Sequence, residues 1–97
     1  MATPVDVLVR ARVLLDDLPA RCRAPVEVSG RVAPNLSGTE VVLERSSAGA
    51  WRPVGRAELD DRSRFSLRLV SCGAPHRVVW PRQGRTNVTG RAPVVFD

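Results

Sequence analysis

Arg64-Phe-Ser-Leu-Arg-Leu-Val70 alternates without a fault: Phe65, Leu67 and Leu69 fall on one side, Ser66 and Arg68 on the other. A period of two is the signature of a half-buried β-strand, one face on a core and one in water. The segment before it, Leu59-Asp-Asp-Arg-Ser63, is rich in residues that bond their own backbone and therefore reads as a turn. After it, Ser71-Cys-Gly-Ala-Pro75 breaks the pattern, and His76-Arg-Val-Val-Trp80 begins a further strand.

The same reading extends outward in both directions. Val26-Glu-Val-Ser-Gly-Arg-Val32 places Val26, Val28, Gly30 and Val32 on one face. Thr39-Glu-Val-Val-Leu-Glu-Arg-Ser46 is the next strand, and Trp51-Arg-Pro-Val-Gly-Arg-Ala57 the one after. Pro53 has no N–H to donate, so its strand belongs at a sheet edge or carries a bulge. At the N-terminus Val5, Val7, Val9, Ala11, Val13 and Leu15 occupy the odd positions, while Asp6, Arg10 and Arg12 hold even ones. A helix start at Thr3, Pro4 and Asp6 competes there, but the run of β-branched Val favours a strand. Pro93-Val-Val-Phe96 closes the chain after the polar stretch Pro81-Arg-Gln-Gly-Arg-Thr-Asn-Val-Thr-Gly-Arg-Ala92. Seven short strands separated by Gly, Pro, Asn and Asp, with no convincing helix, predict an all-β, antiparallel two-sheet sandwich of Greek-key type.

Length and composition agree with one domain. Ninety-seven residues suit a single core. A 43% hydrophobic and 26% charged composition excludes a disordered chain, and no apolar run is long enough for a membrane-spanning helix. The opening Met1-Ala-Thr-Pro-Val-Asp6 lacks the basic-then-apolar order of an export signal. Residues 25–97 are expected to form the sandwich, with residues 1–24 an N-terminal strand, or arm, and its connection.

All 15 basic residues are Arg, and the formal net charge is +5. Arg without Lys, beside abundant Ala, Val, Gly and Pro, is the product expected of GC-rich codons, and so of a bacterial or bacteriophage source. The arginines are spread from Arg10 to Arg91 with few aromatics among them, which favours solvated strand faces over a nucleic-acid site.

The succession Val-Ser-Gly-Arg-Val32, Gly38-x-x-Val-Val-Leu-Glu-Arg45, Trp51-x-x-Val54, Asp60-x-x-x-Arg-Phe-Ser-Leu-Arg68 and Pro75-His-Arg-Val-Val-Trp80 resembles the small immunoglobulin-like or transthyretin-like modules of actinobacterial surface proteins and their phages. It covers about residues 26 to 80 and implies the fold far more than an activity. Two features depart from the pattern. Ser63 stands where the modules usually have Gly, and the long Val-rich first strand with its connection is additional.

Cys22 and Cys72, each in a Cys-x-Ala-Pro sequence, are the only cysteines. With successive strands antiparallel, their two connections lie at the same end of the sandwich. A disulfide there closes a loop of about 50 residues, stabilising the fold by roughly 4 kcal/mol; two separate thiols are the alternative. A structural zinc site falls short of ligands, since His76 is the only histidine. A redox Cys-x-x-Cys is absent, and a Cys–His nucleophile has no evident third group. Asp16-Asp17 and Asp60-Asp61 read as turn residues; a calcium site at the second pair is opposed by Arg62 and Arg64. The sequons at Asn35 and Asn87 read as turns, and Trp51 and Trp80 as core or strand-end cover before a carbohydrate platform.

The sequence therefore predicts no enzyme, cofactor, metal or membrane insertion. It predicts a structural subunit of a larger assembly, such as a capsid-decorating or tail-associated virion protein. The alternative is an extracellular or cell-surface spacer or adhesion domain. Nucleic acid is a weaker third partner, and homo-oligomers remain open. Candidate contacts to a capsid, tail or surface polypeptide are Val5, Val7, Arg10, Arg12, Arg82 and Arg85.

Overall fold

The computed structural model describes residues 9–81, 87–88 and 90–94. In chain order the strands are β1 (Val9–Arg10), β2 (Arg12–Leu15), β3 (Val26–Ala33), β4 (Glu40–Ser47), β5 (Ala50–Glu58), β6 (Arg64–Leu69), β7 (His76–Trp80), β8 (Asn87–Val88) and β9 (Gly90–Val94). Seven of them make two antiparallel sheets, ordered β2-β3-β6 and β5-β4-β7-β9, and β1 pairs with β8 in parallel. No helix occurs among the described residues.

The alternations set the two layers. Val28, Val32, Phe65, Leu67 and Leu69 from the three-stranded sheet meet Val41, Leu43, Val78 and Trp80 from the four-stranded sheet in one buried cluster. Trp80 is its largest member, fully buried, and its indole N–H donates to the Thr39 hydroxyl at 2.9 Å. Thr39 in turn donates to the Leu36 carbonyl at 2.6 Å, so the one polar atom of the ring is satisfied inside the core.

Residues 12–15, which belong to the N-terminal stretch 1–24, are an edge strand of the three-stranded sheet, registered Arg12 to Ala33 and Leu15 to Gly30. Ala11 and Val13 are buried and Arg12 is exposed, the strand reading of that segment. A Cβ at Gly30 would run into the Leu14 carbonyl, and one at Gly90 would lie 2.6 Å from the Ala11 carbonyl. The absent side chains let the chain cross over closely between the sheets at this side.

The last strand differs from the sequence reading. It begins at Gly90, opposite Trp80, inside the stretch taken as polar loop; residues 95–97 lie outside the described residues. Gly90 and Arg91 at the start of this strand hide it from hydropathy, whereas its ladder to β7 is held by the backbone.

Pro53 meets both conditions placed on it. β5 is an edge of its sheet, and its register with β4 shifts between Leu43 and Glu44, leaving Val54 as the extra residue of a bulge.

Ser63 adopts φ +61°, the left-handed conformation a glycine would supply. It is buried, and its hydroxyl donates to the Val32 carbonyl at 2.6 Å while accepting the Leu36 N–H at 3.0 Å. The hydroxyl thus ties the turn before β6 to the end of β3, offsetting the backbone cost. Ser63→Ala is expected to lower unfolding free energy by about 1–3 kcal/mol, because two buried backbone groups lose their partner. Ser63→Gly should lose less, since Gly recovers roughly 1 kcal/mol of left-handed strain. Urea unfolding of the three proteins measures the order, and Gly falling below Ala would contradict it.

Candidate interaction surfaces

At one end of the sandwich the β2–β3 and β6–β7 connections meet. Cys22 and Cys72 form a disulfide there, with their Cα atoms 5.9 Å apart. Among the described residues no cysteine is free, so neither thiol is available as nucleophile or ligand. Below the disulfide lies a cavity of about 380 Å³ lined by Leu69, Ala74, Pro75, His76 and Val94 besides the cysteines. His76 is buried, and its Nδ1 donates to the Ala74 carbonyl at 2.8 Å. That bond fixes the imidazole within its own loop, as the structural role of a strand-start residue requires. Arg45 lies directly opposite His76, and its buried Nε has no hydrogen-bond partner among the described residues.

The outer face of the four-stranded sheet carries a different constellation. Arg77 on β7 donates through Nε to Glu44 on β4 at 2.7 Å, in a cross-strand pair. Its guanidinium also lies 4.3 Å from the centroid of the Trp51 ring. Cation–π contact of this kind holds both planes in place, which leaves one face of Trp51 already covered. Trp51 is 39% exposed and Val54, pushed out by the bulge, is 49% exposed. Arg56 pairs with Glu40 at 3.6 Å further along the same face. The two Trp residues therefore divide: Trp80 is core, and Trp51 is surface packed under an arginine.

The three-stranded sheet is basic outside. Arg12, Arg31, Arg64 and Arg68 are exposed on it, with Glu27 the acidic residue among them. Arg31 and Arg64 stand directly opposite each other, a like-charge pairing. Arg64 is partly neutralised by Asp16, 2.6 Å away, which also accepts from Ser29 at 3.1 Å. Glu27 accepts from Ser66 at 2.6 Å.

Of the two aspartate pairs read as turn residues, Asp60 does the work of a turn, whereas Asp16 is the cross-strand partner of Arg64 and Ser29. Asp60 Oδ1 accepts the N–H groups of Arg62 and Arg64, both at 2.9 Å. The Arg64 N–H foremost, then that of Arg62, with smaller help from the two guanidinium charges, holds its carboxyl below the usual 3.8. Because the folded-state value is depressed, its stabilising contribution is complete above 3.8 and is lost as the pH falls through the folded value. Asp60→Asn should therefore melt below the parent protein at neutral pH, and the gap should narrow on acidification below 3.8. Melting temperatures across that range check it; a gap independent of pH would remove Asp60 as the cause. Asn35 also acts as a turn residue, its Oδ1 accepting the Ser37 N–H at 3.0 Å and its amide donating to the Asp61 carbonyl at 3.1 Å. Asn87 lies in β8.

The sequence-derived contacts do not gather into one described site. Val5, Val7, Arg82 and Arg85 lie outside the described residues, and Arg10 is placed only as a backbone position in β1. Arg12 is exposed on β2. Sequence reasoning missed the Trp51–Arg77 stack, exposed Val54 and exposed Val70. The Pro53–Val54 dipeptide carried a signal for the second of these, since a bulge turns its extra residue outward. Among the described residues no three His, Cys, Asp or Glu side chains come together as a metal site. No family model matches this chain, and no curated protein or solved structure matches it either.

Proposed function

We propose that this chain is a non-enzymatic interaction module of the immunoglobulin-like kind, acting as an accessory subunit of a larger protein assembly. A phage virion, with this module decorating a capsid or attached to a tail, is the assembly we favour. The observation that carries the interaction reading is the pair of exposed side chains Trp51 and Val54, with half-buried Arg77 stacked on the Trp51 ring, on the outer face of the four-stranded sheet. Trp and Arg dominate the energetics of protein interfaces, where a rigid aromatic supplies area at small entropic cost. Arg77 is held against both Trp51 and Glu44, so the group is organised before any partner arrives. The all-Arg basic composition fits a bacterial or bacteriophage source, through codon usage, and so serves this reading and the next alike.

The second reading is an extracellular spacer or adhesion domain of an actinobacterial surface protein. The Cys22–Cys72 disulfide favours it, because such bonds persist in oxidising surroundings. A virion released by lysis meets the same surroundings, so the bond serves either reading.

Native mass spectrometry of the protein from its natural source separates them. Recovery in particles holding many copies supports the accessory subunit. Recovery within a long exported polypeptide would replace it with the surface module. Nucleic acid as partner predicts affinity that falls steeply with salt, and a titration against DNA and RNA without binding would remove it.

A further inference from the structure

We propose that the free edge of β6 is a strand-addition site for an extended, acidic segment of a partner protein, a mode of attachment that rests on the interaction-module reading above. The two sheets have four edges, which approach in pairs, β2 with β9 and β5 with β6. β2 has only four residues and lies beside the β1–β8 ladder, and β9 contains Pro93. β5 is interrupted by Pro53 and by the bulge at Val54, two devices that discourage further pairing. β6 has neither Pro nor Gly nor bulge, and its register with β3 is unbroken from Val26–Leu69 to Arg31–Arg64.

The rungs can be assigned. Val32 N–H donates to the Ser63 carbonyl, so Ser63 belongs to a rung directed at β3. Antiparallel ladders alternate, so Phe65, Leu67 and Leu69 also bond to β3, while Arg64, Ser66 and Arg68 direct their N–H and C=O groups to the open edge. Arg64 is already used: its N–H donates to Asp60 Oδ1 and its carbonyl accepts the Asp60 N–H, both at 2.9 Å. Ser66 and Arg68 remain with outward backbone groups unpaired among the described residues, and Val70 follows, 70% exposed.

Side chains at these rungs define the occupant. An added strand would place one residue beside Arg68, where a carboxylate fits, and one beside exposed Val70, where an apolar side chain fits. Its alternate residues would turn inward beside Phe65, Leu67 and Ala57, which border the two sheets here. The segment recognised is thus extended, apolar on its inward side, and on its outward side acidic beside Arg68 and apolar beside Val70. A second copy of β6 is disfavoured. Two-fold pairing through the Ser66 and Arg68 rungs sets arginines opposite or diagonal to one another in every register, and like charges so placed repel.

Amide exchange on the full chain tests the rungs: Ser66 and Arg68 should exchange fast, Phe65 and Leu67 slowly. The binding test is an amide chemical-shift titration with a synthetic peptide of alternating Val and Glu, against the same peptide with Lys for Glu. The Glu peptide should shift Ser66, Arg68 and Val70, and the Lys peptide should not. Arg68→Glu should weaken the Glu peptide at least about tenfold and admit the Lys peptide. Ser66→Pro, which removes the outward N–H together with the hydroxyl's bond to Glu27, should weaken both, with its melting curve confirming that it folds. The proposal is overturned if the Glu peptide leaves β6 unmoved, if its shifts map instead to the Trp51 face, if Arg68→Glu binds it equally, or if β6 amides shift with protein concentration alone. Failure here combined with recovery from particles would leave the accessory-subunit reading intact and place its contact elsewhere.

Discussion

Removing the disulfide, by Cys22→Ala with Cys72→Ala, is expected to lower the unfolding free energy by about 4 kcal/mol. The two cysteines are 50 residues apart in sequence, and the unfolded chain without the bond regains the freedom that this closed loop denies it. For a domain of this size each kcal/mol moves the Tm by about 4–8 °C, so the melt should fall by roughly 15–30 °C. Total stabilities of small domains are about 5–15 kcal/mol. The loss is thus a large fraction of the whole, and reductant added to the parent protein should reproduce it. Cys22 also packs against the core cluster, so part of the loss in the double variant is packing, and the reductant experiment isolates the cross-link. A fall of only a few degrees in both would mean that the two connections stay together without the bond.

Trp80→Ala is the second change with a large expected effect, a loss of about 3–5 kcal/mol. Trp80 is fully buried between the sheets, and its removal opens a cavity while withdrawing the donor that Thr39 accepts. Trp80→Phe keeps most of the ring volume and isolates the hydrogen bond, for which about 1 kcal/mol is expected. Trp51→Ala should change stability little, since the ring is exposed and its cation–π contact contributes about 0.5–1 kcal/mol. Fluorescence separates the two residues. In Trp51→Ala the remaining emission should be blue-shifted and shielded from acrylamide, and in Trp80→Phe it should be red-shifted and readily quenched. Equal quenching in both variants would contradict the division into core and surface.

Much of this fold was legible because it rests on local pattern. Val26, Val28 and Val32, then Phe65, Leu67 and Leu69, alternate so cleanly that face assignment followed directly, and the structure buries each of them. Pro53 announced its edge by lacking a donor. The cysteines could be brought together by counting strand reversals alone. What stayed hidden depends on partners remote in sequence. Nothing in Val9 or Arg10 names Asn87 and Val88 as neighbours. Trp51 does not reveal that Arg77 will lie over it, because that contact is set by the order β5-β4-β7. β9 escaped because its first residues are Gly and Arg, and its place is fixed by Ala11 approaching Gly90. Ser63 is an intermediate case: the turn was expected, but the hydroxyl that makes Ser serve for Gly finds its partners on Val32 and Leu36.

The parallel pairing of β1 with β8 bears on how the molecule carries tension. Val9 stands beside Asn87 and Arg10 beside Val88, with both chains running the same way. A pull applied ahead of β1 and beyond β9 therefore drags the two strands past one another along their length. Their hydrogen bonds lie across that direction and are loaded together, instead of opening one after another as in a peeled hairpin. Resistance to such a pull is set by the rate of rupture and not by equilibrium stability. A tether attached on both sides of the domain would load this clamp from the β1 side, and the β7–β9 ladder from the other.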